Sequence, residues 1–227
     1  MTPTPAPPAR VLDALPSKPL IAILRGIRPT EVVAVVDALV AHGFCIVEVP
    51  LNSPDALGSV ELLVRHFGDT IVCGAGTVLE AAEVDALAAV GGQIVVSPNT
   101  DAAVIARALA LGLVPLPGAA TPTEVFTALR AGARHVKMFP ADSLGPATLK
   151  AWRSVLPAHA AVYPVGGISA RNLAEFLDAG AAGLGIGSTL YRPGMSAAEV
   201  GAKAAELMAA RDAAMARLRG DKRDGSA

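Results

Sequence analysis

The sequence predicts a single-domain α/β protein, a (β/α)8 TIM barrel, from three observations. Short β-branched-rich runs alternate strictly with Ala/Leu-rich helical runs. The alternation repeats eight times within 227 residues, about the length that one α/β barrel needs. Gly/Pro/Asn/Thr turns punctuate the units at regular spacing. Alternation of this kind demands a parallel sheet covered by helices. An open doubly wound sheet shares the pattern, and the regular spacing favours closure.

The predicted strands are 20–24, 45–49, 70–74, 93–96, 113–116, 134–138, 161–165 and 183–186. Helices are expected over 30–42, 54–66, 81–90, 101–111, 122–131, 146–156, 170–179 and 197–216. Start signals stand where they should: Pro29-Thr30-Glu31, Asn99-Thr100-Asp101 and Thr121-Pro122-Thr123-Glu124 supply side-chain caps and first-turn prolines. Gly43, Gly91, Gly112, Gly132 and Gly180 mark helix ends. Residues 1–17 read as a Pro-rich arm with a short helix, 18–216 as the barrel, and 217–227 as a charged, disordered tail.

Composition narrows the class. Half the residues are apolar (52%) while 17% are charged, as in a globular core rich in Ala, Val, Leu and Gly. A net charge of −1 without a basic stripe argues against nucleic acid as a partner. The longest uncharged stretch, from Ala108 to Thr123, is broken by Pro115, Pro117, Gly118 and Pro122 and is too short to span a bilayer. The opening MTPTPAPPAR has no apolar core of a secretory signal, so a cytoplasmic location is expected. Two cysteines, Cys45 and Cys73, permit a disulfide by count and fit buried free thiols in that compartment. The histidines His42, His66, His135 and His159 have no metal spacing, and no metal site is expected.

Barrel active sites gather at the C-terminal ends of the strands. There the chain carries two charges in apolar runs: Lys137 in Val136-Lys137-Met138-Phe139-Pro140, and Glu48 in Ile46-Val47-Glu48-Val49-Pro50. Burying an unpaired ion costs several kcal/mol. A desolvated lysine loses proton affinity and becomes an amine nucleophile; a snorkelling lysine or a structural ion pair is the plainer alternative. Strands two and six face each other across an eight-stranded barrel, so Glu48 and Lys137 can converge on one ligand. Arg25 at the first strand mouth suits a carboxylate. Gly166-Gly167 and Gly187-Ser188 follow strands seven and eight, where many barrels bind phosphate through backbone N–H groups and a following helix N-terminus. Gly74-Ala75-Gly76 begins a dinucleotide fingerprint that fails at Leu79, which excludes NAD.

In order along the chain stand Leu-Arg-Gly (24–26), Val-Glu-Val-Pro-Leu-Asn-Ser-Pro (47–54), Gly-Ala-Gly-Thr-Val-Leu (74–79), Ser-Pro-Asn-Thr (97–100), Lys-Met-Phe-Pro-Ala (137–141) and Val-Gly-Gly-Ile (165–168). These motifs resemble the KDPG/KHG aldolase family from about Leu20 to Arg192. The resemblance implies a barrel, usually a homotrimer, acting by a covalent imine without metal or other cofactor. It implies that Lys137 is the Schiff-base lysine and Glu48 the acid/base residue. Arg25 and Thr77 would hold pyruvate, and Gly166, Gly167, Gly187 and Ser188 the phosphate; Asn52, Pro98, Asn99, Phe139 and Val165 complete the expected substrate-binding set. The implied ligands are a phosphorylated 2-keto-3-deoxy sugar acid, pyruvate and glyceraldehyde 3-phosphate. Within the family the galactonate type fits best. Gluconate-type members tend to carry arginine where Asn52 stands and threonine where Val165 stands, and often Pro-Gly where this chain has Pro98-Asn99. A gluconate-type or dual-specificity aldolase, or a non-aldolase phosphosugar-binding barrel, is the alternative.

Overall fold

Each expected strand forms within two residues of its predicted bounds in the computed structural model, which describes residues 19–224. In chain order they are β1 (Leu20–Ile23), β2 (Ile46–Pro50), β3 (Val72–Gly76), β4 (Ile94–Val96), β5 (Val114–Leu116), β6 (Gly118–Ala119), β7 (His135–Met138), β8 (Ala161–Pro164) and β9 (Leu184–Ile186). Between and after them run α1 (Pro29–Ala41), α2 (Ala56–Phe67), α3 (Ala81–Ala89), α4 (Ala102–Ala110), α5 (Pro122–Arg130), α6 (Ala141–Arg153), α7 (Leu173–Asp178) and α8 (Ala197–Asp224). The start signals work as read. Thr121 and Glu124 form a reciprocal capping box on α5, and the Asp101 carboxylate accepts from the N–H groups of Ala103 and Val104 at 2.8 and 3.1 Å. The expected arm at 1–17 and the final residues 225–227 lie outside the described residues.

All strand pairs are parallel. They form a six-stranded sheet, β5-β4-β3-β2-β1-β9, and a three-stranded sheet, β6-β7-β8. The strands expected to form one ring thus pair in two ladders, an α/β arrangement of parallel strands covered by helices. Pro117, which offers no N–H to a ladder, separates the predicted fifth strand, β5, from an additional two-residue strand, β6. Before it, β5 pairs with β4; after it, β6 pairs with β7, and the Pro117 carbonyl accepts from the Lys137 N–H at 2.9 Å. On the other side one parallel bridge, Val165 to Gly185, joins the two sheets.

Three helices depart from their expected bounds. In α6 a turn precedes the predicted start, separated from it by Gly145 at φ 75°. The start of α7 falls at Leu173 rather than Ala170, because the Asn172 side chain accepts from Ser169 N–H at 2.8 Å and holds a turn there, a local bond that competes with helix. The last helix continues through the predicted tail as far as Asp224. Leu218 packs against the core and Arg217 lies 3.9 Å from Asp178, which favours helix over a frayed end.

Two cores result. One fills the space between strands and helices and holds Val36, Leu39, Val60, Leu63, Leu149 and Trp152. The other lies on the opposite face of the strands: Ile21, Ile46, Val72, Ile94, Val96, Val114, Leu116 and Tyr163. Side chains alternate between faces along a strand, so Glu48 and Lys137 share this second face with Ile46 and with His135. His135 is buried, with Nδ1 3.2 Å from the Tyr163 hydroxyl. No disulfide joins Cys45 and Cys73; Cys73 is buried and Cys45 partly so.

Burial pushes His135 down to about 4. The unfolded chain protonates this imidazole near its ordinary 6.5, whereas the folded chain resists until about 4. The stability that a neutral His135 contributes is thus full above 6.5 and is lost as pH falls through 4. Between pH 7 and 4 this should remove on the order of 3 kcal/mol. Urea unfolding at stepped pH should show that slope in the wild type and a flatter one in His135→Asn.

Candidate active site

The strand mouths bring the singled-out groups together around one cavity of about 370 Å³. Its walls include Arg25, Lys137, Phe139, Val165, Gly166, Gly167, Gly187 and Ser188, eight of the expected site residues. Lys137 is 5% exposed, and its Nζ stands 4.8 Å from the Phe139 ring centroid. Desolvation lowers its proton affinity, the Glu48 charge works the other way, and the Arg25 charge lowers it further. Glu48 is 2% exposed, and its Oε2 finds no hydrogen-bond partner among the described residues. Burial pushes this carboxyl up to about 7, against the pull of Lys137 first and Arg25 second. Both members of the pair are therefore displaced toward their neutral forms by the same cause, removal from water.

The position of Glu48 depends on Gly76. A Cβ at Gly76 would overlap the Glu48 carboxylate. Gly76 sits on β3, two residues beyond Gly74, which is the register partner of Glu48. In the sequence Gly76 belongs to the Gly-Ala-Gly-Thr run just past the third predicted strand and is given no site role; a glycine on the strand paired with a buried acid is the signal that points to it. Arg25 is oriented in turn by Asn52: its Nη1 donates to Asn52 Oδ1 at 2.6 Å. The adjacent Gly26 N–H donates to Ser53 Oγ at 2.8 Å, so the β2 loop fixes the β1 mouth. Asn52 thus reaches the cavity through Arg25 rather than as part of its wall.

Five of the thirteen expected residues are not on the wall: Glu48 and Asn52, and also Thr77, Pro98 and Asn99. Thr77 is left-handed at φ 55°, a conformation costing a β-branched residue about 1–3 kcal/mol. The next residue holds it there: Val78 N–H donates to Val96 O at 3.1 Å, and Val78 O accepts from Ser97 Oγ at 2.7 Å. Pro98 and Asn99 lie against the backbone of β6; Asn99 O accepts from Gly118 N–H at 3.1 Å, and a Cβ at Gly118 would overlap the Pro98 carbonyl. Conversely, the wall contains Ile23, Gly26, Ile168, Thr189, Tyr191, Arg192 and Pro193, which the sequence reading did not select. The last five follow strands whose loops it had singled out, so reading a few residues further would have reached them.

The expected phosphate loops are arranged as an anion cradle in part. The N–H groups of Gly167, Gly187 and Ser188 make no hydrogen bond among the described residues. The helix N-terminus anticipated behind each loop is absent from that role: α7 starts only at Leu173 and has six residues, and after β9 the chain turns until α8 starts at Ala197. Among the described residues no three His, Cys, Asp or Glu side chains gather as a metal site, and no helix is long and apolar enough to cross a membrane.

A model of the aldolase family described as KDPG and KHG aldolase matches residues 11–204. The chain belongs to the KDPG and KHG aldolase family, and aldolases are lyases. The 2-dehydro-3-deoxy-6-phosphogalactonate aldolase of Escherichia coli (strain K12) is 50% identical over 192 residues, covering 85% of this chain and 94% of that protein. A solved structure of native KDPGal aldolase is 48% identical with a TM-score of 0.86, covering 88% of this chain and 97% of that one. The KDPG aldolase of Legionella pneumophila, solved with pyruvate captured as a covalent carbinolamine, is 27% identical with a TM-score of 0.75, covering 87% of this chain and 94% of that one.

The Glu48 charge raises the proton affinity of Lys137, so Glu48→Gln should shift the pH profile of Lys137 reactivity to lower pH. Amine-directed labelling followed by peptide mass measures this, and an unmoved profile would mean that the two groups are electrically independent.

Proposed function

We propose that this protein is a class I aldolase that cleaves 2-dehydro-3-deoxy-6-phospho-D-galactonate to pyruvate and D-glyceraldehyde 3-phosphate. The observation that carries the reading is the desolvated pair, Lys137 with lowered proton affinity and Glu48 raised to about 7, at a cavity with arginine and glycine-rich walls. An amine of lowered pKa attacks carbonyls at neutral pH, and a carboxyl near 7 both gives and takes protons there. The galactonate-type relatives and the carbinolamine on the Legionella relative support the same chemistry.

In this mechanism neutral Lys137 attacks the C2 ketone, and loss of water leaves an iminium. The iminium receives the electron pair of the C3–C4 bond as that bond breaks. Glu48, directly or through a water molecule, takes the proton of the C4 hydroxyl, and glyceraldehyde 3-phosphate departs. Glu48 then returns a proton to C3 of the enamine, and water hydrolyses the imine to free pyruvate and Lys137. Arg25 and Thr77 hold the pyruvate carboxylate, and Gly166, Gly167, Gly187 and Ser188 take the phosphate; no cofactor takes part. Phe139 lines the rest of the substrate site, Asn52 acts on it through Arg25, and Pro98 and Asn99 support it from behind through the β6 backbone.

Val165 supports the choice of epimer. It lines the cavity with a side chain packed over Gly185 and offers no hydrogen bond to a sugar hydroxyl. Val165→Thr keeps the branched shape and adds that bond, so it should raise kcat/KM for the gluconate epimer relative to the galactonate epimer by about tenfold. A gluconate-type or dual-specificity enzyme is the second reading, and the same pair of rate measurements on the wild type decides it.

We further propose that the two sheets form one closed (β/α)8 barrel in a single domain, supported by the β1–β9 pairing and the Val165–Gly185 bridge. The expected assembly is a cytoplasmic homotrimer, as the family resemblance implies, and sedimentation equilibrium at three chain masses is the test.

Pyruvate with borohydride should leave a reduced adduct on Lys137 by peptide mass, and Lys137→Met should lose both adduct and cleavage. Glu48→Gln should keep the adduct while cleavage slows by about 100-fold or more. Normal cleavage by Lys137→Met would sink the assignment.

A further inference from the structure

The phosphate end of the cavity has its N–H groups but little of the positive charge that a helix N-terminus would have supplied there. A carboxylate also stands close: a Cβ at Gly167 would lie 2.6 Å from Asp142 Cβ and 3.3 Å from its Oδ2. A dianionic ester at the cradle needs a cation nearby. Lys137 and Arg25 are engaged at the other end, around Glu48 and Asn52. The remaining cation on the cavity wall is Arg192.

Arg192 is exposed, yet its backbone is firmly seated. Leu190 and Tyr191 before it are buried, and their N–H groups donate to Gly187 O at 2.8 and 3.1 Å. The Tyr191 hydroxyl donates to Glu31 Oε1 at 2.9 Å, tying the segment to the first turn of α1. Pro193 packs over Gly26, where a Cβ would meet its Cγ at 2.7 Å. The guanidinium Nε donates to Ser188 O at 3.0 Å, which lays the group across the cradle loop. Its two Nη groups make no hydrogen bond or ion pair among the described residues. On its outer side Arg192 borders a surface pocket with Arg171, Lys203 and Glu206, where cations outnumber the one carboxylate.

We propose that Arg192 binds the phosphate group of the substrate through its Nη groups and sets the preference for phosphorylated over unphosphorylated sugar acids. The proposal rests on the aldolase reading above and adds to it a residue that acts through charge where the glycine loops act through N–H groups. Arginine forks onto phosphate oxygens in bidentate fashion, and the Nε bond to Ser188 fixes the plane of the fork.

The test compares wild type, Arg192→Gln and Arg192→Lys in cleavage of the phosphorylated 2-keto-3-deoxy acid and of its unphosphorylated counterpart. In Arg192→Gln, KM for the phosphorylated acid should rise about 10- to 100-fold, the size of one lost charge-assisted contact, while kcat/KM for the unphosphorylated acid stays within about twofold. Arg192→Lys should recover part of the loss. Inhibition by inorganic phosphate should weaken with the same ranking, and binding of inorganic phosphate by calorimetry should weaken in step without any turnover. Equal losses on both substrates, or phosphate binding unchanged in Arg192→Gln, would overturn the proposal. Failure of the aldolase reading is separately visible, because a wild type that forms no pyruvate adduct on Lys137 can still bind phosphate through Arg192.

Discussion

Glu48 and Lys137 lie on the same strand face as an apolar layer built from Ile21, Ile46, Val72, Ile94 and their neighbours. That layer keeps water from approaching the pair from beneath. The surroundings follow from the need to keep both groups dry and close to one cavity. Gly76 has no side chain because the Glu48 carboxylate occupies that space. The Pro117 carbonyl holds the backbone of Lys137 by a 2.9 Å hydrogen bond at the point where one sheet gives way to the other. Exposure would return each group to its ordinary ionisation, a salt bridge of little worth and no reactivity. Burial shifts both residues toward their neutral forms, as the proposed nucleophile and proton carrier require.

Charge is distributed along the cavity in a simple way. Two arginines, Arg25 and Arg192, stand on its wall, and each is steered by a single acceptor, Asn52 Oδ1 for the first and Ser188 O for the second. Each keeps part of its fork available. Under the proposed function, a substrate with an acid at one end and a phosphate at the other would meet matching charge at both, with Phe139 and Val165 beside its uncharged middle. The acceptors are as informative as the arginines, since they determine which way a long, flexible side chain points.

Much of this was legible in the sequence. Alternating runs located eight of the nine described strands, all but the two-residue β6, because buried parallel strands are continuous apolar segments with turn residues at both ends. The charged residues at strand ends were legible because apolar flanks make an ion conspicuous, as with Lys137 beside Val136 and Met138. What escaped detection depends on tertiary geometry. The extra strand β6 after Pro117 depends on which neighbour that segment meets, β7 rather than β4. The continuation of α8 past Ala216 depends on Leu218 and Arg217 finding partners elsewhere in the chain. The delayed start of α7 comes from a side-chain bond at Asn172, and with it went the expected helix dipole at the phosphate loops. Arg192 was hidden for a different reason: it sits among turn residues, where an exposed arginine is unremarkable until the cavity wall is known.

The pairing of β1 with β9 sets Leu20, Ile21 and Ala22 against Leu184, Gly185 and Ile186, joining the first strand of the described chain to the last. During synthesis β1 emerges first and can align with β2 early, but its other edge stays open until about 160 further residues have been made, as the register of Leu20 with Leu184 requires. The α8 helix, which packs against α1, comes later still. The ribosome therefore holds a half-edged sheet for most of elongation, at about 5–20 residues per second. An edge open for so long invites pairing with other chains. Folding of this protein in the cell is in that sense timed by its C-terminus, and a stalled or truncated chain carries the exposed edge of β1 with it.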